Sequence, residues 1–244
     1  TVERTGDFAS AFERALAGFR LAFQPIVRAE TGEQYGCEAL LRSFEPSLPH
    51  PGAVLRAAER LERVHELGRA IRSQAARILG SDVCPAGTLF LNLHPQDLAD
   101  EQLLDVGAPL TAQASRIVLE ITERASLDGV PDLHRRVERL RELGFRIAVD
   151  DLGAGYAGLS SFVVLQPDIV KIDMSLIRDV DSDPTRRKLV RSMADVCRDM
   201  GIQVVAEGIE TQAERQVLIE LGCDLLQGYL FGRPELMPSS EEGT

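Results

Sequence analysis

The chain has 244 residues, 44% of them apolar, with Gly 20 and Pro 12, which is ample for a core and excludes collagen-like and disordered classes. Asp plus Glu (38) outnumber Lys plus Arg (27), giving a net charge of −11. That balance argues against a nucleic-acid polymer or an anionic membrane as partner, but leaves room for a small phosphate ligand carried with a metal. No apolar run approaches the ~18 residues of a membrane span, and the start, Thr1-Val2-Glu3-Arg4, is no signal peptide. It also lacks an initiator Met, as expected of a piece cut from a longer protein. Cysteines 37, 84, 197 and 223 form no CxxC pair and read as small buried hydrophobes in a reducing, cytoplasmic compartment.

In chain order, Leu21–Val27 and Gly36–Arg42 are strand-like, with a turn at Thr31-Gly32. The link is too short for a helical crossover, so the two should pair antiparallel. Ala53–Leu79 has helical spacing and predicts one or two helices, with Gly68 as a candidate break. Strand–helix units follow. Strands are expected at Leu89–Leu93, Ile117–Ile121, Arg146–Asp150, Ile169–Ile172, Gln203–Glu207 and Asp224–Gln227. Helices are expected at Pro131–Leu143, near Ala157–Leu165, at Pro184–Met200 and at Gln212–Leu221. Leu143-Gly144 and Leu221-Gly222 look like helix C-caps, and Asp183-Pro184 like an N-cap followed by Pro at the first helical position. Eight strands, mostly followed by helices, predict an α/β fold: a TIM-like (β/α)8 barrel with the first strand antiparallel. A doubly wound open sheet is the alternative, although no Gly-x-Gly-x-x-Gly follows the first strand. With no linker or repeat, one domain is expected, with a core of about 8–236 and a frayed acidic tail.

Polar residues end the apolar runs. Asn92, Glu120, Asp150-Asp151, Lys171, Glu207 and Gln227 each close a different strand, and Glu38 lies within the second. In a barrel these ends converge on one face. A single carboxylate there is usually a cap or a solvated residue; agreement across six strand ends points to a common site. At an effective dielectric near 20, like charges ~4 Å apart repel by about 4 kcal/mol, so five carboxylates against one Lys must protonate, separate or bind cations. The donors are all oxygen, favouring Mg²⁺ or Mn²⁺ over zinc, and the Asp150-Asp151 pair suggests two ions, one carboxylate bridging them. Two such ions suit hydrolysis of a phosphate ester, with Lys171 orienting the attacking water and Arg42 suited to a phosphate oxygen. The loop from Asp151 to Leu159 is glycine-rich but lacks the Gly-Lys-Ser/Thr of a P-loop.

Together these residues resemble the EAL domain family, bacterial cyclic di-GMP phosphodiesterases. The motifs are QPIV (Gln24–Val27), CEALLR around Glu38-Ala39-Leu40, FLNLHP (Phe90–Pro95) and LEITE (Leu119–Glu123). They continue with DDLGAGYAGL from Asp150, PDIVKID (Pro167–Asp173), AEGIET (Ala206–Thr211) and QGYLFGRP (Gln227–Pro234). The resemblance implies a barrel with an antiparallel first strand and hydrolysis of cyclic di-GMP to linear 5′-pGpG by in-line attack of a metal-activated water. It implies that Glu38, Asn92, Glu120 and Asp150 hold one ion, and Asp150, Asp151 and Glu207 the second. Lys171 would contact the water, with Glu38, Glu207 and Gln227 completing the catalytic set. Gln24, Leu40, Arg42 and Asp173 would line the dinucleotide, and Glu123 and Glu210 would fix the loop after Asp151. It further implies a homodimer through the region after Asp151 and the Pro184–Met200 helix, and an upstream sensor or GGDEF domain. The chain departs from the commonest family loop, DDFGTGYSSL, at Leu152, Ala154, Ala157 and Gly158, and has Ser43-Phe44 where a Trp usually follows EALLR. Tuned activity is expected from the loop changes. A cyclic di-GMP receptor that does not cut its ligand is the runner-up. A metal hydrolase for another phosphate diester is a third reading, which the cluster alone does not separate. Receptor-type members typically lose a ligand or the Lys, and this chain keeps them all.

Overall fold

The computed structural model of the chain describes residues 2–81, 85–122, 127, 129–153 and 158–237. Helix α1 (Val2–Gly18) leads into β1 (Arg20–Arg28), which turns back on β2 (Gln34–Arg42). The two strands are antiparallel, with Gln24 opposite Glu38. Gly32, at φ 73, makes the turn and donates its N–H to the Arg28 carbonyl at 2.9 Å. From β2 onward each new strand pairs parallel with the one before: β3 (Thr88–Asn92), β4 (Ile117–Thr122), β5 (Arg146–Leu152), β6 (Ile169–Ile172), β7 (Gln203–Ala206) and β8 (Leu225–Gln227). β8 then pairs antiparallel with Ile26–Arg28 of β1, which closes the barrel. A two-residue strand, β9 (Glu235–Leu236), continues the same edge of β1 at Ala22 and Phe23. The predicted barrel and its antiparallel first strand are both present.

Around the barrel lie α2 (Pro51–Arg60), α3 (Val64–Leu79), α4 (Leu133–Glu142), α5 (Gly158–Leu165), α6 (Met174–Ile177), α7 (Pro184–Asp199) and α8 (Gln212–Leu221). Their apolar faces cover outward-facing strand residues such as Leu89, Leu91, Ile117, Leu119, Ile147 and Val149. The stops act as the sequence predicts. Gly222 caps α8 in the left-handed conformation at φ 87, and Asp183 accepts the N–H groups of Thr185 and Arg186.

Several features differ from the sequence reading, which gave neither the short α6 nor the two-residue β9. α1 was not expected. Short 3-10 turns at Pro95–Ala99, Glu101–Leu103 and Thr111–Arg116 bridge β3 and β4. Helix α4 begins at Leu133, two residues after the expected start, because Asp132 sits in the left-handed region at φ 51. The break within the long helical stretch falls at residues 61–63, where Glu62 takes φ 56, and not at Gly68. Gly68 lies inside α3, where a Cβ would collide with the Asp97 carboxylate. Its lack of a side chain serves a close approach, not a helix end. Among the described residues no helix is long and apolar enough to cross a membrane.

Candidate active site

Side chains on a strand alternate between faces, so residues two apart share one face. Seven apolar residues, Ile26, Phe90, Val118, Ala148, Ile169, Val205 and Leu225, fill the barrel interior as one cluster. Two residues further toward the mouth, the same seven strand lines carry Gln24, Asn92, Glu120, Asp150, Lys171, Glu207 and Gln227. On β1 the step runs backward in sequence, because that strand is antiparallel. Glu38 joins from β2, directly across from Gln24. The strand-end residues picked out in the sequence therefore form one polar ring stacked on an apolar one.

Lys171 stands at the centre. Its Nζ lies 2.7 Å from Glu207 Oε1, 2.8 Å from Glu120 Oε1, 3.1 Å from Glu38 Oε2 and 3.3 Å from Asp150 Oδ1. Two amides aim the Glu38 carboxylate: Gln227 Nε2 donates to Oε2 at 2.7 Å and Asn92 Nδ2 to Oε1 at 2.8 Å. Gln24 in turn accepts from Gln227 at 3.3 Å and donates to the Gly232 carbonyl at 3.1 Å.

Asp150 and Asp151 are neighbours on one strand and should face opposite ways. The β5–β6 register slips between Val149 and Leu152, and Asp151 takes φ 58. This bulge returns the second carboxylate to the mouth. Asp150, Asp151 and Glu207 each offer an oxygen, all within 4.8 Å of one another.

The electrostatics are lopsided. Burial pushes the Lys171 ammonium down, but Asp150, Glu120, Glu207 and Glu38 overcome it and hold the group well above its ordinary value. Glu120, fully buried and facing Glu38 and Asp150, is pushed well up despite Lys171. Burial also raises Glu207, and Asp150 and Glu38 add to the rise, up to about 8. Glu38 alone goes down, because Lys171, Gln227 and Asn92 together outweigh its burial. One ammonium cannot neutralise the cluster, so it must hold protons or bind further cations. Glu120 Oε2 is buried and accepts no hydrogen bond.

A cavity opens on each side of the ring. One, of about 380 Å³, is largely apolar and runs from Glu38, Leu40 and Asn92 to α2 and α3, at Leu55 and Ile71. The other, of about 260 Å³, lies beside Glu207 and Asp151 and is lined by Gln24, Asp173, Arg178 and Tyr229. Leu40 thus faces the first and Gln24 and Asp173 the second; Asp173 also caps α6 by accepting from Ser175 N–H. Arg42 ends β2 and turns its Nη1 to the Leu41 carbonyl, outside both linings. Glu210 lines the second cavity and pairs with Arg178 at 2.7 Å. Glu123, Cys84 and residues 154–157 of the glycine-rich loop lie outside the described residues.

The sequence reading missed several residues around these cavities. Asp97 is buried in the wall of the first, 3.1 Å from Arg72; the unexplained mid-helix Gly68 was its only signal. Tyr229 and Arg233, the guanidinium 4.1 Å over the ring, stand in the QGYLFGRP motif, but no role had been read for them.

A closed (β/α)8 barrel with one antiparallel strand and a carboxylate-rich mouth defines a class of α/β enzymes that work at the strand ends. Residues 9–234 match the EAL domain, and the chain belongs to that family. It is 31% identical over 231 residues to the oxygen sensor protein DosP of Escherichia coli, covering 91% of this chain and 29% of that protein. The structure of the Pseudomonas aeruginosa MucR phosphodiesterase in complex with cyclic di-GMP superimposes with a TM-score of 0.80. There the identity is 29%, with 97% of this chain and 99% of that one covered. BlrP1 of Klebsiella pneumoniae, solved with calcium and cyclic di-GMP and separately with manganese and cyclic di-GMP, gives a TM-score of 0.79 for the calcium form. The identity is 31%, over 91% of this chain and 57% of BlrP1. The chain spans about a third of the length of curated relatives it matches, 29% of DosP and 33% of MucR.

Proposed function

We propose that this chain is a cyclic di-GMP phosphodiesterase domain, opening one phosphodiester bond to give linear 5′-pGpG. The arrangement around Lys171 carries the reading: carboxylates from separate strands meet within 3.3 Å of one ammonium, between two cavities. A cyclic dinucleotide has the matching layout, a phosphate flanked by two purine bases. The relatives solved with cyclic di-GMP support the same substrate.

The donor set fits hard divalent ions. It is all oxygen, and the unpartnered Glu120 Oε2 would be satisfied by a cation. Glu38, Asn92, Glu120 and Asp150 would hold one Mg²⁺ or Mn²⁺, and Asp150, Asp151 and Glu207 a second. Such ions, when bound, supply Lewis acidity and a water acidic enough to attack phosphorus in line with the departing 3′ oxygen.

The chain's own side chains do the rest. Lys171 keeps its proton and orients the attacking water. Gln227 and Asn92 fix both Glu38 oxygens, so that carboxylate does not rotate out of place. Leu40 on one side of the ring and Gln24 and Asp173 on the other receive the dinucleotide. Arg42, once it leaves the Leu41 carbonyl, is assigned to a phosphate oxygen, and Glu210 to fixing the loop after Asp151. The intact set, including Lys171, favours an enzyme over a silent receptor.

We place the domain in the cytoplasm, within a longer signalling protein carrying an upstream sensor or GGDEF domain. Free buried thiols at Cys197 and Cys223 suit that compartment. Pairing of two copies through α5 and α7 is supported by exposed Val163 on α5, by Leu189 and Val196 along one face of α7 and by Met200 at its C-cap.

The test is chromatographic. The chain is incubated with cyclic di-GMP in Mg²⁺, Mn²⁺ or EDTA. Linear pGpG appearing only with metal is expected. Uncut but tightly bound nucleotide in every metal would favour the receptor, and no binding would remove the substrate assignment.

A further inference from the structure

The segment from Ser43 to His50 joins Arg42, the last residue of β2, to Pro51 and Gly52 in the wall of the apolar cavity. It carries a carboxylate, Glu45, that is only 8% exposed. A buried charge needs a partner, and this one takes it from α1. Arg14 Nε donates to Glu45 Oε2 at 2.8 Å and Nη2 to Oε1 at 3.1 Å. The same carboxylate accepts Ser47 N–H at 3.2 Å, while Glu45 N–H donates to Ser43 Oγ at 3.3 Å. Leu48 packs beside Phe12, Ala15, Val54 and Ala57. The segment is therefore pinned to α1 twice, by a two-point ion pair and by an apolar side chain. Neither pin touches the carboxylate ring.

We propose that Arg14 and Glu45 are positioning residues for substrate, clasping α1 to the 43–50 segment so that Arg42 and the cavity wall keep a fixed spacing. This rests on the phosphodiesterase reading above. The Arg–carboxylate pair keeps Glu45 ionised, its carboxyl held down at about 2 by the Arg14 hydrogen bonds, so the clasp persists at any working pH.

The test compares wild type with Arg14→Ala and Glu45→Gln, the latter keeping shape while losing charge. Losing one charge-assisted pair is expected to raise KM for cyclic di-GMP about five-fold, with kcat and the Mg²⁺ concentration for half-maximal rate unchanged. Amide hydrogen exchange in residues 43–50 should accelerate in both variants. The exchanged pair, Arg14→Glu with Glu45→Arg, should recover much of the KM. Unchanged KM in active variants would overturn the clasp and leave the phosphodiesterase reading standing, as would a shift in metal dependence, which would place the effect at the ring. A wild type that does not cleave cyclic di-GMP would remove both.

Discussion

The two rings inside the barrel share strands, face and packing direction, yet they are held by opposite physics. The lower one, Ile26 through Leu225, is apolar and has no partner to find. Its worth is the area it removes from water, ~1.5–3 kcal/mol for each large side chain buried. The upper one, two residues along, gathers charges that burial penalises and that one lysine cannot balance. The lower ring makes the barrel stable. The upper ring leaves carboxylates that one ammonium does not balance, and in the proposed function divalent cations meet that demand. A cut in the lower ring should cost folding, and a cut in the upper ring should cost turnover.

Glu38→Ala should separate these most sharply. Turnover in Mg²⁺ is expected to vanish, while the circular dichroism spectrum is kept. In EDTA its melting temperature should fall modestly, because Gln227 and Asn92 lose their acceptor and Lys171 one of its carboxylates. Full activity in this variant would sink the metal assignment.

Phe90→Ala is the mirror experiment. It empties a fully buried site in the lower ring, and urea unfolding should show a loss of ~3–5 kcal/mol. The protein that remains folded should keep the metal dependence of the wild type.

Metal itself comes next. Mn²⁺ at about 100 times its dissociation constant should stabilise the wild type by ~2.7 kcal/mol for each ion held, in the same unfolding experiment, if folded chain alone binds it. Glu38→Ala should gain much less.

The smallest effect belongs to Gln227→Ala. It removes the 2.7 Å donor that aims Glu38 Oε2 without removing a carboxylate. Metal affinity should weaken about 10–100-fold, the usual range for a group that orients a ligand, as read by Mn²⁺ titration. An unchanged affinity would show that Asn92 suffices to fix Glu38.

Much of the upper ring was legible because all its members but Gln24 and Glu38 end an apolar run, and strand ends of a barrel meet by topology. Glu120 closing IVLE and Lys171 closing DIVK needed no coordinates to be grouped. Helix α1 was missed although Phe8, Phe12, Ala15 and Leu16 sit at helical spacing. Its apolar face is short, and what it covers, Val54, Ala57 and Leu67, comes from helices far along the chain.

The sequence by itself determined the alternation of strands and helices, the hairpin at the start, the caps at Asp183 and Gly222, and the residue types at the mouth. These are local: each follows from side-chain spacing, a turn glycine or a cap within a few positions. Only the tertiary structure decided that Asp151 joins Asp150 on one face, since that takes a bulge against β6. It alone explained Gly68, by bringing Asp97 against α3, and tied Arg14 to Glu45 across 31 residues. A period along one strand fixes which face a side chain takes, but the close approach of two distant segments is fixed only when the barrel closes and its helices pack.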